Sequence, residues 1–246
     1  MNTDSSSRDV DGCLIKLAGT ILNYRCTRAE ASFVLTQADE TRMGLIAMAA
    51  GLAGMSGSAA TISWNASHAE EEADFVEFDL NGMPVKGWMW RSPFNEGDAV
   101  EVAAKWQGDH YEVSGIARPD DRTIALFPHC SRGRIMHYRN AFKAWIAISL
   151  LGTVLTLLLN AAILKSEDYV EFFLAIGGYG ILTGSAIFGV IILRMTRRWM
   201  RFVYKAEETF ATFGWPNTQR IDLVKSSKVQ RKPDDPFEFG YLYFRY

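Results

Sequence analysis

Hydrophobic and polar positions divide the chain into three regimes. In the first the period is two: Val76, Phe78 and Leu80 alternate with Glu77 and Asp79, Asn81-Gly82 offers a tight turn, and Val85–Trp90 runs back after Pro84. That pattern predicts a β-hairpin. Val100, Val102, Ala104 and Trp106 alternate with Glu101, Ala103 and Lys105 before Gln107-Gly108-Asp109 turns the chain into Tyr111–Ile116. Arg118-Pro119-Asp120-Asp121-Arg122 turns it again into Thr123–Phe127, and Leu14–Tyr24 and Ala31–Thr36 are earlier strand candidates.

In the second regime the alternation gives way to two long uncharged runs. Ala144–Leu164 holds 21 residues, dominated by Leu, Ile, Ala and Val, and Phe172–Leu193 holds 22, rich in Ile, Leu and Phe. A bilayer core of about 30 Å needs about 20 helical residues, so each run fits one crossing. The connector from Lys165 to Glu171 is short, which predicts an antiparallel hairpin. Arg132, Arg134, Arg139 and Lys143 precede the first run, and Arg194, Arg197, Arg198, Arg201 and Lys205 follow the second. The connector carries one Lys beside three carboxylates, so both termini are expected in the cytoplasm. Met43–Ala69 is also uncharged, but it is rich in Gly, Ala and Ser, which contribute little insertion energy, with Asn65 and His68 near its end; it reads as a small-residue helix or loop of the soluble domain.

The third regime has a period near 3.6. Trp199, Phe202, Val203, Ala206, Phe210 and Phe213 form one stripe, with Arg197, Arg198, Arg201 and Lys205 at its start, which predicts an amphipathic helix at the headgroups or on the β domain. Gly214-Trp215-Pro216 ends it. The aromatic tail Phe237, Phe239, Tyr241, Tyr243, Phe244 and Tyr246 favours a last strand pairing with a sheet. The expected fold is therefore an α+β membrane protein. Residues 1–138 form a cytoplasmic small antiparallel barrel or sandwich, of oligonucleotide-fold or SH3-like size, and 139–196 a two-helix transmembrane hairpin. Residues 197–246 form a cytoplasmic amphipathic helix with its tail.

Charge and cysteine narrow the class further. With 26 basic and 28 acidic side chains the net charge is −2, without the basic excess of a nucleic-acid binder. The polar opening MNTDSSSRDVDG has no apolar signal core, so a cleaved export signal is not expected. Cys13, Cys26 and Cys130 are odd in number and far apart, as suits reduced thiols.

Candidate chemistry is sparse. Gly54-Met55-Ser56-Gly57-Ser58 resembles a nucleophile elbow only superficially. His129, Cys130 and His137 match no metal-ligand spacing, and Trp88, Trp90 and Trp106 read as core or hairpin-pair aromatics before stacking platforms. Arg118 and Arg122 around Asp120-Asp121 read as a solvated turn. No catalytic, cofactor or metal residue is expected. The remaining pattern lies in the hairpin: Ser149, Thr153, Thr156 and Asn160 share one face of the first run, and Gly180 and Gly184 form a GxxxG pair in the second, near Gly177 and Gly189. Such a face either packs the hairpin or, in an assembly of hairpins, borders a polar path; no charge lies within either run to relay a proton or ring an ion.

Several stretches resemble one bacterial family. They are Gly87-Trp88-Met89-Trp90-Arg91-Ser92-Pro93-Phe94-Asn95-Glu96-Gly97-Asp98, Ile116-Ala117-Arg118-Pro119, Phe127-Pro128-His129-Cys130-Ser131-Arg132-Gly133, Gly214-Trp215-Pro216 and Tyr243-Phe244-Arg245-Tyr246. The chain is similar in these to the membrane proteins grouped as type VI secretion system effectors. The resemblance implies a role in antagonism between Gram-negative bacteria and transfers no catalytic residue. Two readings follow: a non-enzymatic effector acting on a bilayer, or an inner-membrane immunity or accessory protein holding a partner with its β domain. The expected partners are the lipid bilayer, a cognate effector, immunity or secretion-apparatus protein, and further copies of the chain, with no nucleic acid.

Overall fold

The computed structural model describes residues 13–33, 70–163 and 177–246. They divide into two compact units. One takes the described residues up to Cys130 together with Thr212–Gly214 and Leu223–Tyr246; the other takes Ser131–Ala211 and Trp215–Asp222. The tail from Leu223 is thus part of the first unit, and its last residues pair with the sheet, as the aromatic run favours.

That unit is a closed five-stranded barrel. Its strands are β1 (Ile15–Ser32), β2 (Glu70–Leu80), β3 (Met83–Met89), β4 (Ala99–Trp106) and β5 (Tyr111–Arg118). β1 pairs with β4 through its first half and with β2 through its second, β2 with β3, and β4 with β5, all antiparallel. A short parallel pairing of Val85 and Lys86 with Tyr111 and Glu112 closes the ring. The closed order β1-β2-β3-β5-β4 has the connectivity of an oligonucleotide-fold barrel rather than an SH3-like one, and connectivity names no ligand. Two further strands, β6 (Thr123–Leu126) and β7 (Phe244–Arg245), extend the sheet beyond β5.

Side-chain alternation fills this barrel. Val76, Phe78 and Leu80 meet Ile21, Val85, Met89, Val100, Val102 and Ile116 in one core. Asn81 and Gly82 both have positive φ, as the Asn-Gly turn requires, and Asn81 Nδ2 donates to the Ala18 carbonyl at 2.7 Å, fixing the turn on β1. Closure depends on Gly87: a Cβ there would lie 2.7 Å from Val113 Cγ1 and 2.9 Å from its carbonyl oxygen. Trp106, read as a core or hairpin-pair aromatic, is the latter: it stands partly exposed at the strand end, paired with Tyr111 across the turn.

The second unit contains α1 (Arg134–Ile163), α2 (Gly178–Arg198) and α3 (Met200–Thr212). α1 and α2 are both long and apolar enough to cross a membrane, and none of their apolar residues in that window is buried. Phe202, Val203, Ala206 and Phe210 form the buried face of α3, as their spacing requires. The base of α1 is braced. The Arg134 N–H donates to Glu207 Oε1 at 2.7 Å, and Arg132 Nε and Asn140 Nδ2 both reach the Asp222 carboxylate. Gly133 donates to the Ile221 carbonyl and has backbone of Thr218 and Gln219 where a Cβ would sit. In the first unit, α4 (Leu223–Gln230) packs beside β7, with Ser227 Oγ accepting the Arg245 N–H at 2.8 Å.

Candidate functional site

Among the described residues, each unit has a place where candidate polar side chains converge. In the helical unit, α1 and α2 run antiparallel, since His137 meets Thr196 while Trp145 and Ser149 meet Ser185. Ser149, Thr153, Thr156, Asn160, Gly180 and Gly184, all singled out from the sequence, border a single cleft of about 400 Å³ between these helices, joined by Gly177, Ser185 and Phe188.

The local bonding of that cleft differs from a polar zipper. Thr153, Thr156 and Asn160 donate to the carbonyls of Ser149, Gly152 and Thr156, four residues back on their own helix. Only Ser149 crosses, its hydroxyl 2.9 Å from that of Ser185. Gly180 and Gly184 have open space where a Cβ would point, whereas one on Gly189 would sit 3.2 Å from Trp145 Nε1. Close helix approach is therefore made at Gly189 against Trp145, whose indole N–H donates to the Ser185 carbonyl at 2.9 Å. The GxxxG pair lines open space instead. Among the described residues no ionisable side chain lines the cleft.

In the barrel, Asp74 on β2 is 2% exposed. Its carboxylate accepts the Ser92 N–H at 2.9 Å and Arg28 Nη1 at 3.2 Å, with Arg91 Nη1 at 3.6 Å. Arg91 Nε in turn donates to Glu238 in the tail at 3.2 Å, and the Tyr24 and Ser92 hydroxyls lie 2.5 Å apart. Burial pushes the Tyr24 phenol well above its usual range, and burial together with the Asp74 charge pushes the Cys26 thiol up. Both groups stay protonated at neutral pH, so neither is an activated nucleophile or base.

The family-like motif after β3 is legible as carpentry. Arg91 and Ser92 hold Asp74, Phe94 is buried, and the Glu96 carboxylate accepts the N–H groups of Asn23 and Tyr24 where β1 bulges with Asn23 at positive φ. Asp98 accepts Arg118 Nη1 at 2.6 Å, and Asp121 takes Arg118 Nη2 at 2.8 Å. The turn expected to be merely solvated is thus a partly buried brace. Hydrogen bonds to both carboxylates raise the Arg118 pKa further against the opposing effect of burial. Arg122 lies over the Tyr246 ring.

The remaining sequence candidates have separate partners. His129 Nε2 is 2.7 Å from Glu71 and its ring packs on Trp90; His137 Nε2 is 3.2 Å from the Thr196 carbonyl oxygen. Trp88 packs on Phe75 and Phe33. Among the described residues no group of three or more His, Cys, Asp or Glu is placed to hold a metal. The Gly54–Ser58 motif and the Met43–Ala69 stretch lie outside the described residues. Sequence reasoning missed Asp74, Tyr24 and Ser185; the available signal was that Asp74 stands two residues before Val76, on the inward face of β2. Comparison with family models, curated proteins and solved structures finds no match.

Proposed function

We propose that this chain is an integral inner-membrane protein with two spans and both termini in the cytoplasm, a non-enzymatic member of the type VI secretion effectors that acts on a bilayer through its hairpin. The observation that carries the membrane half is the surface of α1 and α2. Leu151 and Leu182 are each 70% exposed, and Leu150, Leu155, Leu158, Leu159, Ile187 and Val190 are exposed with them. At about 1.5–3 kcal/mol for each such side chain, lipid would contribute on the order of 10–20 kcal/mol that water withholds. The basic residues at the Arg139 and Arg198 ends support the orientation. The type VI association rests on the resemblance in the motifs quoted above. The non-enzymatic reading is supported by the protonated, hydrogen-bonded condition of Tyr24 and Cys26.

The immunity or accessory reading draws support from a polar groove of about 570 Å³ on the barrel, bordered by Asn23, Arg25, Glu77, Asp79, Lys86 and Glu96. It is a surface suited to a partner protein. The test is expression of the full chain with and without an added periplasmic targeting signal, followed by growth and membrane potential. Depolarisation on periplasmic delivery is the expected result. Cells that keep both growth and potential overturn the effector reading, and a deletion strain killed by its siblings then establishes the immunity reading. A chain recovered in the soluble fraction of a detergent-free lysate overturns both.

A further inference from the structure

We propose that the cytoplasmic end of the hairpin is a binding site for an anionic phospholipid, with an acyl chain in an apolar groove and the phosphate among the exposed cations of the two helix ends. The inference rests on the two-span reading. The groove, about 390 Å³, lies between the basic end of α1 (Tyr138, Phe142, Trp145) and that of α2 (Gly189, Leu193, Thr196). It is pre-formed. The Trp145 indole is fixed by its bond to the Ser185 carbonyl and packs on Phe142 with ring centroids 5.6 Å apart, while the missing side chain of Gly189 leaves it room. Tyr, Trp and exposed Phe at this level are the side chains that favour the headgroup boundary.

Charge complementarity selects the occupant. Within the same helical unit Arg132 and Arg134 already have carboxylates, Asp222 and Glu207. Arg139, Lys143, Arg194, Arg197 and Arg198 are exposed and have no carboxylate partner among the described residues. Arg139 and Lys143 are one helical turn apart, as are Arg194 and Arg198, so each helix carries cations at the level where its apolar surface begins. An apolar slot between helices whose same ends carry exposed cations matches a diacyl lipid with a phosphate headgroup. A soluble anion would leave the slot empty, and a neutral lipid would leave the cations unanswered.

The test reconstitutes the full chain in phosphatidylcholine vesicles, alone or with phosphatidylglycerol or cardiolipin, and reads the Trp145 signal as the difference from a Trp145→Phe variant. Brominated anionic lipid is expected to quench Trp145 at mole fractions about tenfold lower than brominated phosphatidylcholine does. The triple variant Arg139→Gln, Lys143→Gln, Arg197→Gln should abolish that preference while still incorporating. Equal quenching by both lipids in incorporated protein overturns the proposal and leaves the two-span reading standing. Trp145 shielded from both, because a second copy covers the groove, also overturns it. Failure to incorporate into any vesicle overturns the two-span reading itself, and this proposal with it.

Discussion

Replacing Asp74 tests whether the loop after β3 is held by a buried charge or only by shape. The carboxylate is almost fully enclosed, accepts one backbone N–H at 2.9 Å and one guanidinium N–H at 3.2 Å, and has Arg91 at 3.6 Å. Asp74→Ala orphans the Ser92 N–H, at about 1–3 kcal/mol, and removes a charge-assisted bond of roughly 1.5–3 kcal/mol. The guanidiniums keep part of their hydration, since Arg28 and Arg91 are about a third exposed, so a net loss of about 3 kcal/mol is expected. Asp74→Asn keeps an acceptor for Ser92 and loses only the charge, costing about 1–2 kcal/mol. Arg28→Met removes an ion pair whose cation is largely solvated and costs under about 1 kcal/mol. At about 2–4 °C per kcal/mol for a chain of this size, near-UV circular dichroism melts in detergent should rank the three, with Asp74→Ala about 6–12 °C below the parent. An Asp74→Ala protein that melts with Arg28→Met would refute the reasoning, because the buried N–H and carboxylate would then contribute nothing beyond a surface pair.

Three further outcomes follow from the geometry. Gly87→Ala forces a Cβ against Val113 at the barrel closure and should cost about 1–3 kcal/mol by the same melts, with Val113→Ala restoring part of it. Cys13 and Cys26 are both exposed, but Cys26 should react more slowly with iodoacetamide at neutral pH, because partial desolvation and the Asp74 charge disfavour its thiolate; mass spectrometry of the labelled peptides reads the ratio. For Asp121 burial works to raise the pKa, but hydrogen bonds from Arg118 and Thr123 outweigh it and hold the carboxyl below its usual value. Its contribution to stability is therefore complete above the ordinary carboxylate pKa of about 4 and fades as pH falls through the lower folded value. Asp121→Asn should flatten that acid limb in a melt series across pH.

Much of the barrel could be read from alternation because Val76, Phe78 and Leu80 share the inward face that period two assigns them, and Asn81-Gly82 needs no distant help to turn. The amphipathic stripe of α3 is a similar local signal. What escaped reading depends on partners far along the chain. Asp74 lies on the same inward face as Val76, where a carboxylate would be excluded if Ser92, Arg28 and Arg91 did not come to it. The parallel β3–β5 closure exists because Gly87 lets the backbone approach Val113, a relation no window around either residue contains. In the hairpin the small and hydroxyl residues do converge on one cleft, but which glycine is used for close packing depends on where Trp145 reaches across, and that selects Gly189 over Gly180 and Gly184. The Arg118 turn looked solvated because Arg118 and Arg122 flank Asp120-Asp121 within it; the partner Asp98 comes from another loop.

The pairing of β7 with β6 joins segments that are translated on either side of both apolar helices. While the ribosome is still making those helices, β6 offers an unsatisfied edge to its surroundings, and only the later arrival of Phe244 and Arg245 covers it. Biogenesis is thereby ordered: both apolar helices are synthesised before the sheet can be finished. A nascent chain halted between the two events would carry a sticky border, open to chaperones or to a neighbouring nascent copy.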